Sequence, residues 1–479
     1  MRSLLCCTLL LVATACSPPV ESLPSAGEAT IAPDLLPHRQ TIERLLREGL
    51  ERGRAHELLT DLCTTAPHRL AGSPGSEAAL EWGRSTLEEL GLSGVHLEPC
   101  EVPVWVRGEV EELVVTAPAE LAGMPLPVLA LGNSVATPPE GLEAELVVVE
   151  DFEELAALGA EARDKAVLFA RPFDPSLMDT FAAYSGAVNQ RSRGASEAAK
   201  AGARFALVRS LTGRTDDHPH TGNMNYAEGV RRIPAAAVST RACDLLRERV
   251  EAGDEVRMRL RLDCSREADG PSANVIGEYL GRELPDEVVI VSGHLDSWDV
   301  GQGAHDDGAG CIHAIEAVRL LKALDLRPRR TIRVVLYMNE ENGTAGARDY
   351  AADHLEEFPR HVLAIESDRG GFVPRGFGFD GGEAGLRYVQ ELGLLLEEVG
   401  ASRVRAGFSG VDISPLKAFG VPLVGLNVDT HRYFDHHHSA RDTVEHVHPR
   451  ELQLGAIAVA GLAYLAAERE EPCPRTPTR

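Results

Sequence analysis

The sequence predicts an α/β protein with a mostly parallel central sheet flanked by helices. From Ser272 onward, short apolar runs alternate with segments of helical periodicity, which is the order expected of a parallel sheet covered by helices. Residues 288–292 form a continuous apolar run, typical of a strand buried on both faces. With 479 residues, 44% of them hydrophobic, the chain can bury a large core, and global disorder is excluded.

The amino terminus predicts a lipoprotein signal peptide at residues 1–15. Its apolar run, residues 4–15, is shorter than the roughly 20 residues that a membrane-spanning helix needs. The run ends in Val-Ala-Thr-Ala-Cys, which resembles a bacterial lipobox, so Cys16 is the predicted lipidation site. We therefore predict an exported outer-membrane or periplasmic lipoprotein, attached to the membrane only through its lipid. A plain secretory signal, which would release a secreted protein, is the alternative.

The segments that follow predict a tether, a helix, a strand and a crossing between domains. Residues 16–37 are rich in Pro, Ser, Ala and Glu and lack apolar periodicity, which predicts a flexible tether. The patterns further along predict a helix over 77–90 and a strand over 102–115. Prolines then punctuate residues 117–141, and we interpret this stretch as a domain crossing.

The middle of the chain, up to Ser265, predicts several short strands and contains few candidate ligands. His218 and His220 lie in a polar, proline-flanked loop and are predicted to be surface histidines. The predicted strands are 145–149, 166–170, 203–208 and 234–238.

The last part of the chain repeats the order strand, loop, helix. Its predicted strands are 288–292, 331–338, 362–365 and 421–426. Its predicted helices are 308–324, 344–354, 383–399 and 451–468.

The charge of the chain excludes two classes of partner. Its 73 Asp and Glu exceed its 48 Lys and Arg, for a net charge of −25 at pH 7. Binding to nucleic acid or to an anionic membrane surface needs clustered cations, so neither is expected. The 17 histidines stand out, because imidazole carries protons and is the commonest metal ligand.

Six cysteines remain beyond the signal peptide and Cys16. Six thiols allow fifteen disulfide connectivities, and their spacing selects none of them. No CxxC pair is present, which argues against a zinc site built from thiolates.

Polar residues with metal-binding side chains follow successive predicted strands. In open α/β sheets, ligands collect at the carboxyl ends of the strands, so these residues are expected to lie close together. They are His294 and Asp296, Asp306 and Asp307, Glu340 and Glu341, Asp368, and the triplet His436, His437 and His438.

This set of side chains predicts a dinuclear zinc site. Histidines with carboxylates suit zinc, and an acid that bridges two ions about 3.5–4 Å apart is the usual co-catalytic arrangement. The adjacent acids Glu340 and Glu341 cannot both point the same way, so one can bind metal while the other accepts a proton. Asp296 is predicted to accept the second imidazole proton of His294.

Several motifs resemble the co-catalytic zinc aminopeptidases and carboxypeptidases, in particular the carboxypeptidase Q subgroup. The main one is GHLDSWDVGQGA at 293–304, followed by Asp306-Asp307-Gly308; SEAAKAGA at 196–203 and PHTG at 219–222 also fit. The resemblance implies a zinc exopeptidase fold with an inserted protease-associated-type domain. We accordingly predict a discontinuous catalytic domain, residues 38–116 and 266–470, interrupted by the insertion at 117–265.

The resemblance also implies a role for each site residue. His294 and Asp368 would hold one zinc, Glu341 and His438 the other. Asp306 would bridge them, with Glu340 as the general base, two Zn²⁺ per subunit and a cis peptide bond after Asp306. His438 is selected because residues 438–443 match the family pattern, which leaves its neighbours in the triplet, and also His305, as bystanders. A homodimer is implied by relatives alone.

The expected function is exopeptidase hydrolysis of dipeptides or short peptides. Aminopeptidase polarity is an alternative, because it uses the same ligands. A single-zinc acyl transferase resembling glutaminyl cyclase is disfavoured by the presence of both His294 and Asp306. A non-catalytic binding protein is disfavoured because every ligand is present. Three arginines near the ligands in sequence are predicted to be solvated: Arg369, Arg375 and Arg432.

Overall fold

The computed structural model describes residues 31–476, so the predicted signal peptide, Cys16 and most of the predicted tether lie outside the described residues. The tether prediction, 16–37, is too long at its end, because Leu35 is fully buried in the main core. The α-helices of the described chain are α1 Arg39–Arg52, α2 Ala55–Thr65, α3 Pro74–Glu89, α4 Phe152–Leu158, α5 Thr180–Lys200, α6 Thr240–Glu251, α7 Ala309–Ala323, α8 Ala345–Asp353, α9 Glu383–Gly393 and α10 Pro449–Glu468.

Within residues 31–476 the strands form two large sheets and one short ribbon. They are β1 Ser93–Val102, β2 Trp105–Val106, β3 Glu111–Ala117, β4 Pro125–Leu126, β5 Val128–Ala130, β6 Leu142–Val149, β7 Ala166–Phe169, β8 Phe205–Arg209, β9 Ala235–Val238, β10 Arg257–Leu262, β11 Ser265–Arg266, β12 Gly270–Tyr279, β13 Leu284–His294, β14 Arg330–Tyr337, β15 His361–Glu366, β16 Pro374–Asp380, β17 Arg403–Ala406 and β18 Leu423–Val428.

The first sheet confirms the predicted fold class. Its strand order is β1-β12-β14-β13-β15-β18-β16-β17. The four central strands, β14, β13, β15 and β18, pair in parallel, whereas β12 joins β14 and β16 joins β18 in antiparallel pairs. The parallel centre matters for the site, because it brings four carboxyl ends to one edge of the sheet.

Burial on both faces explains the continuous apolar run in β13. Val289 and Val291 pack into the core that contains α7 and α10, whereas Val288 and Ile290 pack into a second core that contains Tyr350 of α8. Helix α10 is apolar enough to cross a membrane by length and composition, but its side chains are mostly buried within the fold, against α7 and α1. We therefore interpret it as a core helix.

The second sheet is formed by the middle of the chain, within residues 111–262. Its order is β4-β3-β10-β6-β7-β8-β9-β5, and it has apolar cores of its own. The four strands predicted in this region are present as β6, β7, β8 and β9. The bounds of an inserted domain and its protease-associated character stay predictions; β3, which begins at Glu111, already belongs to this second sheet.

The strand predicted over 102–115 is wrong. The chain leaves the first sheet at the end of β1, makes the short strand β2, and joins the second sheet with β3. Pro103 lacks the N–H that a strand ladder needs, and Gly108 has φ +83°, so continuous strand structure is broken twice.

The sequence patterns predict the four central strands of the first sheet but not its outer strands β1, β12, β16 and β17. Glycines interrupt β16, although Phe377 and Phe379 are buried there. The predicted helix 383–399 is α-helical only to Gly393 and continues as a 3₁₀-helix, Leu394–Val399. All six cysteines of the described chain are buried free thiols: Cys63, Cys100, Cys243, Cys264, Cys311 and Cys473.

Candidate metal centre

The predicted ligands meet at the carboxyl edge of the parallel strands. His294 is the last residue of β13, Glu341 lies just beyond β14, and Asp368 lies just beyond β15. Asp306 lies in the turn before α7, and His438 lies in the loop after β18. The fold therefore brings together the five residues that the sequence placed at separate strand ends.

Asp306 stands between two histidines. Its Oδ1 lies 3.3 Å from His294 Nε2, and its Oδ2 lies 3.2 Å from His438 Nε2. Asp368 Oδ1 lies 3.6 Å from His294 Nε2, and Glu341 Oε2 lies 3.0 Å from His438 Nε2. Each histidine is thus grouped with one acid of its own, and both groups share Asp306.

The donor set fits two divalent cations. His294 Nε2, Asp306 Oδ2 and Glu341 Oε1 are buried and have no hydrogen-bond partner. A buried polar atom without a partner costs free energy, which a bound cation would offset. Nitrogen and carboxylate oxygen donors, without thiolates, are ligands that zinc accepts. Asp306 belongs to two clusters of possible ligand atoms, and within each cluster all of these atoms lie within 4.8 Å of one another.

His437 is predicted to be a neighbour of the ligands, but it lies close enough to Asp306 to be a possible ligand itself. Its Nε2 is 3.7 Å from Asp306 Oδ2, and its ring stacks on the ring of His438 at a centroid distance of 3.5 Å. It therefore joins Asp306 and His438 in one of the two clusters of possible metal ligands. The sequence offered only the triplet itself as a signal for this position.

Asp296 contacts His294 differently from the prediction. His294 Nδ1 lies 3.0 Å from the carbonyl oxygen of Asp296 and 3.8 Å from its carboxylate, so the imidazole proton goes to the backbone. The Asp296 carboxylate accepts instead the backbone N–H groups of Asn339, Glu340 and Glu341, at 2.7, 3.1 and 3.3 Å. It thereby holds the loop that carries both glutamates.

Two further carboxylates hold the loop around Asp306. Asp442 accepts the N–H groups of His305 and Asp306, at 2.7 and 3.1 Å. Asp307 accepts the N–H groups of His294 and Gly310, at 3.1 and 2.9 Å. The Asp306–Asp307 peptide bond is cis, as the family resemblance implied.

Burial and charge shift the acidity of the central groups in opposite directions. Burial favours a neutral Asp306, but the adjacent imidazoles of His294 and His438 outweigh it and hold the pKa of Asp306 well below its usual range. Burial raises the pKa of Glu341 to about 7, with Asp306 acting in the same direction. Burial also raises the pKa of Glu340 well above its usual range, and Asp368 and Glu341 add to that rise.

Residues of the middle segment, 111–262, contact the loop that carries His436, His437 and His438. The N–H of Thr221 donates to the His438 carbonyl at 2.9 Å, and the Thr221 carbonyl lies 3.3 Å from His438 Nδ1. His220 Nδ1 donates to the His437 carbonyl at 2.7 Å. The prediction of a surface histidine is therefore wrong for His220, which is fully buried, whereas His218 is exposed.

A cavity of about 600 Å³ opens onto the centre. This volume lies within the usual range for small-molecule sites. The centre contributes Asp306, Glu340, Glu341, Asp368 and His438 to its wall. The middle segment, the loop after β15 and the loop before β18 contribute side chains that include Phe181, Tyr184, Arg191, Asn223, Arg369 and Phe408.

The remaining candidates lie away from the cavity. His305 is buried, and its ring stacks on Phe372 while its Nδ1 accepts the N–H of Gly371, so it is a bystander as predicted. Arg375 and Arg432 are exposed and pair with surface acids, as predicted. Arg369 differs: it is half-buried and lines the cavity.

Comparison with known proteins identifies the family. Residues 274–463 match peptidase family M28. Carboxypeptidase Q of Bos taurus is 37% identical over 437 residues, which are 91% of this chain and 90% of the relative. Carboxypeptidase Q of Homo sapiens is 38% identical over 89% of this chain and 88% of the relative.

The chain belongs to peptidase family M28. This confirms the prediction of a zinc metallopeptidase related to carboxypeptidase Q.

Solved structures of M28-type peptidases share the fold. A peptidase M28 precursor from Shewanella amazonensis SB2B superposes with a TM-score of 0.88 at 34% identity, covering 92% of this chain and 99% of that one. A zinc aminopeptidase from Bacillus subtilis superposes with a TM-score of 0.64 at 20% identity, covering 88% and 96%. The second likeness shows the fold alone.

Proposed function

We propose that this M28 peptidase is an exopeptidase that hydrolyses dipeptides or short peptides, with two zinc ions per subunit and Glu340 as the general base. The observation that carries the proposal is the position of Asp306, whose two oxygens face His294 and His438 separately, at 3.3 and 3.2 Å. That arrangement suits one carboxylate shared by two cations.

The two groups of side chains divide the metal-binding roles. His294 and Asp368 would hold one zinc, Glu341 and His438 the other, with Asp306 common to both. When bound, such zinc ions polarise a carbonyl group and make water a stronger nucleophile near neutral pH. The orphaned buried atoms of His294, Asp306 and Glu341 support this assignment.

Glu340 has the position of a proton carrier. Its carboxylate lines the cavity and has no hydrogen bond or ion pair with any side chain of residues 31–476, whereas Glu341 faces His438 at 3.0 Å. Its backbone is fixed through Asp296. In the proposed reaction Glu340 accepts a proton from the attacking water as the carbonyl carbon is attacked, and returns it to the nitrogen of the leaving amine.

The experiment for this proposal combines metal analysis with a dipeptide panel in which either terminus is blocked. The purified protein should contain two zinc ions per chain, hydrolyse unblocked dipeptides, lose all activity with a chelator and regain it with zinc. A protein with one zinc that cyclises amino-terminal glutamine would favour the acyl transferase instead. A metal-free, inactive protein would favour the non-catalytic binding role.

We also propose that the enzyme is exported and anchored through lipid on Cys16. Replacement of Cys16 by serine removes the thiol that would be acylated, so the protein should move from the membrane fraction to the soluble fraction and lose labelling by a radioactive fatty acid. Retention of the label by the variant would contradict lipidation at this residue. A homodimer stays a prediction from relatives.

A further inference from the structure

Arg369 is an arginine of the cavity wall that has no acidic partner. It follows Asp368 directly, and its guanidinium carbon lies 4.5 Å from the ring centre of Phe181 and 5.7 Å from that of Phe408. Within residues 31–476, no carboxylate oxygen lies within 4.0 Å of its nitrogens, and its side chain donates no hydrogen bond. Two aromatic rings therefore hold the group; the charges of Asp368 and Asp179 act on it from a distance, but neither acid pairs with it directly.

Arginines with little exposed surface elsewhere in the described chain have acceptors for their side-chain N–H groups. Five of them form an ion pair of 3.0 Å or less: Arg107 with Asp299, Arg209 with Asp244, Arg319 with Glu316, Arg330 with Glu287, and Arg333 with Glu278. Arg69 has no acid among the described residues but donates to three backbone carbonyl groups, whereas the Arg369 side chain has neither kind of partner there. Burial of a charge without a partner is costly. The exception at the cavity therefore requires an explanation.

A second cation of the same cavity, Arg191, is held rigidly and also lacks an acid. Its Nη2 donates to the Tyr184 hydroxyl at 2.6 Å, its Nη1 lies 3.4 Å from the Thr221 carbonyl, and its buried Nε has no acceptor. Gly222, with φ +140°, permits this position, because a Cβ there would lie 2.4 Å from the guanidinium carbon. With Asp306, Glu341 and Asp368 assigned to zinc, the cavity keeps two further acids, Glu340 and Asp179, and within residues 31–476 neither forms an ion pair with Arg369 or Arg191.

We propose that Arg369 binds the free α-carboxylate of the residue that is released from the substrate. This inference rests on the proposed function and sets its polarity: the enzyme would act on carboxyl-terminal residues and on dipeptides rather than as an aminopeptidase. A guanidinium matches a carboxylate with two parallel hydrogen bonds and repels an ammonium group. Arg191 adds positive charge to the same cavity and disfavours an amine there further.

The test compares a dipeptide with its carboxyl-terminal amide. The wild-type enzyme should prefer the free acid. Replacement of Arg369 by glutamine should lower kcat/KM for the acid by about 10- to 100-fold, mainly through KM, because the loss of hydrogen bonds to a charged group weakens binding by roughly this factor. The rate on the amide should change little, and both zinc ions should stay bound. The matched control is Arg375→Gln, an exposed arginine that pairs with Asp429 outside the cavity.

The outcomes separate this inference from the function on which it rests. If the zinc-loaded wild type hydrolyses no peptide at all, the proposed function fails. If the wild type cleaves acid and amide equally well, or if Arg369→Gln lowers both rates by the same factor with normal thermal unfolding, the carboxylate subsite is wrong. If the glutamine variant does not fold, Arg369→Lys decides in its place, and a smaller loss of preference for the acid is expected.

Discussion

Replacement of Glu340 by glutamine is expected to leave two zinc ions bound and to lower kcat by about 10²- to 10⁴-fold, the usual value of general acid–base catalysis. Glutamine keeps the size of the side chain and leaves intact the backbone N–H that binds Asp296. An amide cannot accept the proton of the attacking water, however, so the chemical step should fail while binding persists. Zinc content by mass spectrometry and single-turnover kinetics with a dipeptide measure the two effects separately.

The neighbouring glutamate supplies the matched control. Glu341→Gln removes the carboxylate whose Oε2 lies 3.0 Å from His438 Nε2, so this variant should lose zinc as well as activity. The two variants together identify which acid is the base and which is the ligand. Loss of zinc in Glu340→Gln with retention in Glu341→Gln would reverse the roles, and more than about a tenth of the wild-type kcat in Glu340→Gln would exclude it as the base.

The sequence predicted those parts of the fold that depend on local pattern. The apolar run in β13 reports burial on both faces, because alternate residues enter two different cores. The parallel pairing of β13, β14 and β15 then brings residues such as His294 and Asp368 to one edge, so their proximity followed from topology alone. These inferences need no knowledge of side-chain contacts.

Contacts between residues that are far apart in the sequence could not be predicted from local patterns. Phe181, which packs on Arg369, comes from the middle segment, and neither residue shows in sequence that the other is near. The same holds for His220, whose burial depends on the backbone of His437. Asp296 does contact His294, though through its backbone carbonyl, and the three N–H groups that donate to its carboxylate lie beyond the next strand.

The middle segment therefore contributes to the site directly. Thr221 contacts both the backbone and the Nδ1 of His438, and Arg191 lies 3.4 Å from that same nitrogen. A ligand histidine whose second nitrogen is held by a carbonyl group has a fixed ring orientation. In this enzyme the orientation of one proposed metal ligand thus depends on a segment that does not belong to the sheet carrying the other proposed ligands.

Replacement of Asp306 by asparagine is expected to remove at least one of the two zinc ions and nearly all activity. Asparagine offers one oxygen and one NH₂ donor group in place of two oxygens, so it cannot face both His294 and His438 as an acceptor. Loss of a hydrogen-bond partner of a metal ligand already lowers affinity or activity by about 10- to 100-fold. Loss of a carboxylate that is common to both groups should lower zinc affinity and activity by a larger factor.

The change is nearly isosteric, and the backbone N–H of residue 306 still donates to Asp442, so the loop should keep its conformation. Asp179→Asn is the matched control: Asp179 lines the same cavity but accepts the N–H of Phe181 at the start of α5. That variant should retain two zinc ions. Zinc titration by calorimetry and thermal unfolding at saturating zinc measure the difference between the two variants. Zinc bound to the native state stabilises it by about 4 kcal/mol per site when the zinc concentration is 1,000 times Kd, and each lost site removes that stabilisation. Two tightly bound zinc ions and a wild-type kcat in Asp306→Asn would show that this carboxylate does not bridge the metals.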